Sequence, residues 1–530
     1  MSEPPLIDIR PDHWEIVRAI LKKHVPDREV WAFGSRAKWT AKQYSDLDLA
    51  VLGDESLDLD VQAGLEEDFS ESDLPFKVDV VDWATTAETF RGIIGKDKVV
   101  VHQVEVVSSE WGVQSIESCM EAIIDYRGKT PRKTLYGIPL ITAKIVKGGR
   151  IETPNEFIAV DDYERWMTRG IPKAGDIVVT TEAPLGEIAQ LGNERVALAQ
   201  RLIALRGKSG VLDNGFLKFL MQSENVQDQL RARASGTTVL GIKQSELRNI
   251  LLTLPPLSEQ RAIAQVLGGL DDKIELNRRM NADLEAMAQA LFKDWFVDFG
   301  PVRAKVEGRQ AYLAWDIWEL FPGALDDEDK PLGWQFGVLH EVADSPRRGV
   351  NPAEVSEDTP YIGLEHMPRR SIALADWAHA GKVTSNKSVF KKGEFLFGKL
   401  RPYFHKVGIA AINGICSTDI VVVCPKGKEW SAYILACISS DPFVNYTDKL
   451  SNGAKMPRTS WDDMGAYEVC LPGKSVAQAF ENTVAPTLEQ VIVNIHESQT
   501  LSYLRDLLLP KLITGEIRVR DAEKAMEAAL

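Results

Sequence analysis

Three aspartates and a glycine–serine pair near the N-terminus have the types and spacing to do chemistry in this 530-residue chain. Asp46 and Asp48 are two apart at the start of a strand-like run, 47–52, so their side chains leave one face. Asp79 stands in phase in another strand-like run, 77–82. Carboxylates converging from adjacent strands suit a hard divalent cation such as Mg2+, which takes oxygen ligands and bridges to nucleotide phosphates. Gly34 and Ser35 follow a third run, 29–33, at a helix start, where backbone N–H groups and a hydroxyl can cradle phosphate oxygens. The plainer alternative is that Asp46 and Asp48 are only the polar face of a half-buried strand.

A frame for these residues is legible. Trp14, Val17, Ile20 and Leu21 fall at helical spacing in 12–24, ahead of the first strand. The stretch GSRAKWTAKQYSDLDLAV, with KVDVVD and GKDKVVVH after it, resembles the minimal nucleotidyltransferase family related to the polymerase-β superfold, over about residues 9–103. The resemblance implies that Asp46, Asp48 and Asp79 are catalytic and hold Mg2+, and that Gly34 and Ser35 hold a triphosphate. The implied reaction moves a nucleoside monophosphate from an NTP to a hydroxyl, with the acceptor unnamed.

Composition excludes several classes. Apolar residues make up 44 % and charged residues 26 %, enough for ordinary cores. No run nears the roughly 20 apolar residues of a membrane helix, and no signal-peptide core is visible, so a cytoplasmic protein without a membrane role is expected. The five cysteines contain no C-x-x-C pair and the eight histidines no ligand spacing, which argues against a disulfide framework or structural zinc. The net charge of -15 is uneven: residues 1–103 hold 12 Lys/Arg against 21 Asp/Glu. Residues 126–150 hold seven basic residues and no acidic one, and residues 347–406 hold 11 against 6. Local basic surface, not the whole-chain balance, meets a phosphate backbone.

An internal repeat organises the rest. Residues 137–141 correspond to 358–362, Gly175 to Gly393, Ser235-Gly236 to Asn452-Gly453, Leu254-Pro255 to Leu471-Pro472 and Leu291 to Leu508, at offsets of 217 to 221. Each copy reads as a β-rich region with strands near 177–180 and 200–205, or 395–397 and 420–424. A Leu-Pro stop and a long helix follow. The first helix, 258–299, sets Ile263, Leu270, Asn277, Leu284 and Leu291 on one seam position and Val266, Met280 and Met287 on the other. The second, 475–509, carries Val484, Leu488, Val491, Ile495, Leu501, Leu504 and Leu508. One reading packs each helix on its own domain; matched lengths favour a mutual antiparallel coiled coil. About 40 residues make a rod of roughly 60 Å, a ruler holding two readers apart on duplex DNA.

Candidate DNA contacts are Arg127, Lys129, Arg132, Lys133 and Lys144 in the first copy. In the second they are Arg347, Arg348, Arg369, Arg370, Lys399 and Arg401. The interleaved Phe390, Phe395, Tyr403 and Phe404 read as core before they read as base-stacking residues.

The stretch LPPLSEQRAIAQVLGGLDDKIELNRRMNADLEAMAQALFKDWFVDFGPVRAK resembles the centre of type I restriction–modification specificity subunits. FPGALDDEDKPLGW resembles the lead-in to that family's second target-recognition domain, and LLLPKLITGEIRV its C-terminal helix. The expected fold is therefore α+β and multidomain. It comprises a nucleotidyltransferase-like domain (1–103), target-recognition domains (104–256 and 334–472), long helices (257–300 and 473–518), a linker (301–333) and a tail (519–530). The resemblance implies recognition of a bipartite double-stranded DNA site. It implies docking of methyltransferase subunits, two of them, and of restriction/translocase subunits, with S-adenosylmethionine and ATP used only by those partners. The alternative is a nucleotidyltransferase that the remaining chain targets to DNA or a defence complex.

Overall fold

A computed structural model describes residues 7–25, 28–42, 44–53, 56–102, 111–126, 130–236, 239–453 and 455–529. They form two compact units, one from the residues up to Ala264 with Pro510–Ala525, the other from Gln265–Leu509 with the C-terminal end.

The N-terminal helix, Pro11–His24, starts on a proline and acidic Asp12 and ends on Lys22, Lys23 and His24, matching its dipole at both ends. Trp14, Val17 and Leu21 are buried on its inner face. They pack with Val30, Leu47, Leu49, Val51 and Phe69. The sheet beneath runs Val78–Asp82, Leu47–Val51, Val30–Phe33, Val99–His102 in spatial order. Leu47–Val51 is parallel to Val78–Asp82 and antiparallel to Val30–Phe33.

The two β-rich regions repeat one topology. In the first, an antiparallel sheet runs Leu185–Gln190, Ile177–Thr181, Leu202–Gly207, Met120–Asp125. In the second, Val407–Ile409, Phe395–Gly398, Ile420–Pro425 and Ala343–Asp344 take the same places in the same order. A companion sheet pairs Ala197–Leu198 in parallel with Ile138–Ile141, as Gly414–Cys416 pairs with Pro360–Ile362. A two-stranded antiparallel sheet brings the two ends of each region together: Gly112–Ser115 with Leu251–Leu254, and Gln335–Val338 with Glu468–Leu471. Gly175 and Gly393 hold φ near +84° and +86°, so the repeat extends to a backbone setting that favours glycine. The strand expected from residue 200 begins at Leu202, because Arg201 is left-handed at φ +73° and cannot join the ladder.

The long helices are Leu257–Phe296 and Lys474–Thr514. The first stops short of the expected residue 299, where Phe299 turns left-handed. The first helix is held at its start by Gln260, whose side chain is 1 % exposed. Its amide donates to the carbonyls of Val211 and Pro255 and its oxygen accepts from the Asp213 N–H. Within the second unit the helices run antiparallel: Asp271 meets Arg505, Asn277 meets Glu497 and Ser498, and Asn281 meets Asn494.

One expected seam is corrected. Met280 and Met287 are 36 % and 58 % exposed, while Asn281 and Ala288, one residue on, are buried. The partner crosses four residues after the Leu270–Asn277–Leu284 series, not three; an antiparallel neighbour tolerates either step on a 3.6-residue turn. Both readings of the helices hold together. Besides the pairing, the second helix packs on its own β-rich region, where Glu481 accepts from the Ala432 N–H, and the first starts on its own through Gln260. Farther along, Phe292, Trp295 and Phe296 of the first helix meet Tyr433 of the second region and Phe480 of the second helix, with Phe296–Tyr433 ring centroids at 4.9 Å.

Candidate functional site

The N-terminal sheet brings the expected carboxylates to one edge. Asp48 is the direct partner of Asp79 across the parallel pair and of Phe33 on the other side. Gly34 follows Phe33 at φ +75° and opens the short helix Gly34–Ala37. A Cβ there would lie 2.2 Å from Asp48 Oδ2, so a larger residue would both strain this left-handed backbone and displace the carboxylate. Burial, then the neighbouring Asp79 and Asp46 charges, pushes the Asp48 carboxyl above its ordinary range. Asp46 stands exposed just before the strand, and Lys77 pairs with Asp79 at 2.5 Å.

These oxygens have the donor chemistry of a divalent-cation site, and a half-buried carboxylate raised by desolvation and then by two like charges is what a bound cation would relieve. Side chains as placed are not drawn into a ligand set; among the described residues no three His, Cys, Asp or Glu are.

Arg36 is a site residue that sequence reasoning passed over. Only 5 % exposed, it donates from Nε to the Ser45 carbonyl at 2.9 Å and from a terminal nitrogen to the Asp8 carbonyl at 2.8 Å. Its guanidinium lies 3.8 Å from the Phe76 ring centroid. It therefore pins the peptide immediately before Asp46. An arginine directly after Gly-Ser, in a turn between two buried strands, was the available signal.

The basic candidates separate by environment. Arg132, Lys144, Arg347 and Arg369 are exposed, Arg369 with its guanidinium 4.0 Å from the Phe404 ring centroid. Lys133 pairs with Glu156 at 2.7 Å, Arg348 with Glu394 at 2.8 Å and Arg370 with Asp441 at 2.9 Å. Lys133 thus meets an acid from outside the acid-free run that contains it. Arg348 is half-buried and ties Glu394 beside the turn at Gly393, a structural position. Lys399 and Arg401 sit at the end of the strand Phe395–Gly398, and Arg401 is left-handed at φ +53°. Arg127 and Lys129 lie outside the described residues. Phe390 and Phe395 are fully buried, as core, whereas Tyr403 is 51 % exposed.

Residues 15–105 match the family model for polymerase β nucleotidyltransferases, and residues 109–286 match that for the type I restriction modification DNA specificity domain. The chain is 26 % identical over 444 residues to the type I restriction enzyme MjaIX specificity subunit of Methanocaldococcus jannaschii, covering 78 % of this chain and 95 % of that one. It is 54 % identical over 99 residues to the probable protein adenylyltransferase MntA of Haemophilus influenzae, 19 % of this chain and 87 % of that one. A crystal structure of a type I restriction-modification S subunit from M. genitalium aligns over 77 % of this chain and 96 % of its own, at 16 % identity and a TM-score of 0.44. The family matches lead to one assignment: the chain carries the DNA specificity domain of type I restriction–modification systems and, ahead of it, a nucleotidyltransferase domain of the polymerase-β family.

Proposed function

We propose that residues 104–530 read a bipartite double-stranded DNA site, one half by each β-rich region. On this reading they direct two methyltransferase subunits and the restriction/translocase subunits to that site. The observation that carries it is the repetition of one sheet order in both regions, joined to helices that pair antiparallel. Duplex DNA offers the same two-fold logic, with half-sites at defined spacing. Arg132, Lys144, Arg347, Arg369, Lys399 and Arg401 are the proposed DNA contacts within the described residues, with Arg127 and Lys129 beside them in sequence. Lys133 and Arg370 are held by Glu156 and Asp441, and Arg348, half-buried on Glu394, is the weakest candidate. Methylation and ATP-driven steps belong to the partners, which supply S-adenosylmethionine and ATP sites.

The test is geometric. Adding seven residues to each long helix keeps the seam in phase and lengthens the rod by about 10 Å. The gap between half-sites then grows by about three base pairs at 3.4 Å each, with both half-sites unchanged. Altered half-site sequences at an unaltered gap contradict the reading.

A second activity has its own support in the Asp48–Asp79 register beneath Gly34. On this reading Asp46, Asp48 and Asp79 hold Mg2+, Gly34 and Ser35 hold the phosphates of an NTP, and Arg36 fixes the approach of Asp46. A bound divalent cation supplies charge neutralisation at the transferring phosphoryl group. The 54 % identity to a probable protein adenylyltransferase favours ATP as donor. Labelled NTP offered to the full chain and its co-purified partners tests it. Transfer lost in the Asp46→Asn/Asp48→Asn double variant supports the reading, and transfer unchanged by it refutes it.

A further inference from the structure

Both β-rich regions build the same small frame and then fill it with different side chains. In the first, the Thr181 N–H donates to the Arg201 carbonyl at 2.9 Å and the Ile242 N–H to the Thr181 carbonyl at 3.0 Å. In the second, the Lys399 N–H donates to the Asp419 carbonyl at 2.9 Å and the Thr459 N–H to the Lys399 carbonyl at 3.1 Å. A loop is closed on this platform by reciprocal backbone bonds, Ser235 with Gly241 and Asn452 with Arg458, all at 2.9 to 3.0 Å. Ala183 and Arg401, each before a proline, are left-handed at φ +51° and +53° at matching places. Gly236 and Gly453 hold φ +127° and +112°; a Cβ on either would meet the carbonyl of Val239 at 2.1 Å or of Met456 at 3.0 Å.

The side chains on the frame do not match. Position 201 is arginine in the first region, and its counterpart 419 is aspartate; Gly241 in the first corresponds to Arg458 in the second. Each frame nevertheless shows an acid–base pair and exposed apolar side chains at the loop, Val239 beside Leu240 in the first and Met456 in the second. Arg201 meets Glu182 at 3.6 Å, with side chains 49 % and 41 % exposed. Arg458 meets Asp419 at 3.0 Å, with 45 % and 29 %. Val239 and Met456 are 47 % and 46 % exposed. In the first region Glu182, Arg201, Val239 and Lys243 line an open cavity of about 440 Å³.

Exposed ion pairs add little stability, and left-handed non-glycine residues cost some. Stability therefore does not account for a strained frame kept in both regions while its charges are rearranged. Base reading does. A guanidinium donates to guanine O6 and N7, a carboxylate accepts from cytosine N4, and an apolar tip meets the thymine methyl. We infer that this frame is the base-reading element of each region, and that Glu182, Arg201 and Val239 set one half-site while Asp419, Arg458 and Met456 set the other. The inference rests on the bipartite DNA reading above and deepens it to named side chains.

The test selects from a pool of randomised duplexes with the full chain bound to its methyltransferase partner. Wild type, Arg201→Gln, Glu182→Gln, Asp419→Asn and Arg458→Gln are compared. Each variant is expected to lose discrimination by about tenfold at one base pair of one half-site. The other half-site and the gap stay as in wild type and report that the complex is intact. Unchanged preferences in both halves overturn the inference. So does a loss of binding spread evenly over all sequences at an unaltered melting temperature, which would mark phosphate contacts. Should one region melt early when substituted, the pair in the other region reads the same outcome. A wild-type complex that selects no split motif sinks the underlying DNA reading itself, and is distinguishable because it needs no variant.

Discussion

Glu285 gives a quantitative test of how the first long helix packs on the second β-rich region. Its Oε2 accepts from the Ile372 N–H at 3.0 Å. Burial pushes its carboxyl from the ordinary 4.5 up to about 7, and the Ile372 hydrogen bond pulls back only partly. The folded chain thus holds a proton between those two values that the unfolded chain releases. Its stabilising effect is complete below pH 4.5 and is lost as pH rises through 7. At about 1.4 kcal/mol per tenfold in proton affinity, the wild type forfeits about 3 kcal/mol between pH 4 and pH 8. Glu285→Gln keeps an acceptor for Ile372 and does not titrate. Scanning calorimetry should therefore find the variant's second-unit transition close to wild type at pH 4 and about 6 to 12 °C higher at pH 8. A displacement that does not vary with pH, or a variant melting lower at pH 8, refutes the account of this contact.

Three further outcomes follow from the same geometry. Asn494→Leu strands the buried Asn281 carbonyl oxygen in the helix pair, so the second-unit transition should weaken by about 1–3 kcal/mol, and the Asn281→Leu/Asn494→Leu double variant should recover much of it. Asp48→Asn removes a carboxylate that burial and two like charges disfavour; calorimetry should show the N-terminal region more stable at neutral pH, the gain fading as acid protonates the wild type, and Mg2+ should stabilise wild type but not the variant. Gly34→Ala should cost about 1–2 kcal/mol for its left-handed backbone, more for the clash with Asp48, and should abolish any Mg2+-dependent rise in melting temperature.

Much of this architecture was legible because it is written in periodicities and repeats. Leu488, Val491, Ile495, Leu501, Leu504 and Leu508 are all buried as their spacing implies, and matched glycines marked matched turns. Met280 and Met287 were misplaced for a reason periodicity cannot remove. A step of three and a step of four both suit one helix, and only the partner's Asn494 shows that Asn281 lies inside. At the candidate nucleotide site, alternation placed Asp46 and Asp48 on one face with Asp79 in phase, while the direct pairing of Asp48 with Asp79 is seen only in the sheet. The role of Arg36 did not, because it acts through the carbonyls of Ser45 and Asp8, which no side-chain pattern reveals. The acid–base exchange between Arg201 and Asp419 was hidden likewise. Those residues correspond only once the backbone bonds at Thr181 and Lys399 are matched.

The most direct test of the central claim is a methylome. The chain is co-expressed with its methyltransferase partner, and methylated adenines are mapped across the host genome by single-molecule sequencing. The account predicts one split motif, two short half-sites at a single fixed gap, that disappears when this chain is omitted. Methylation at a continuous motif, or no methylation with both subunits soluble and associated, would contradict it.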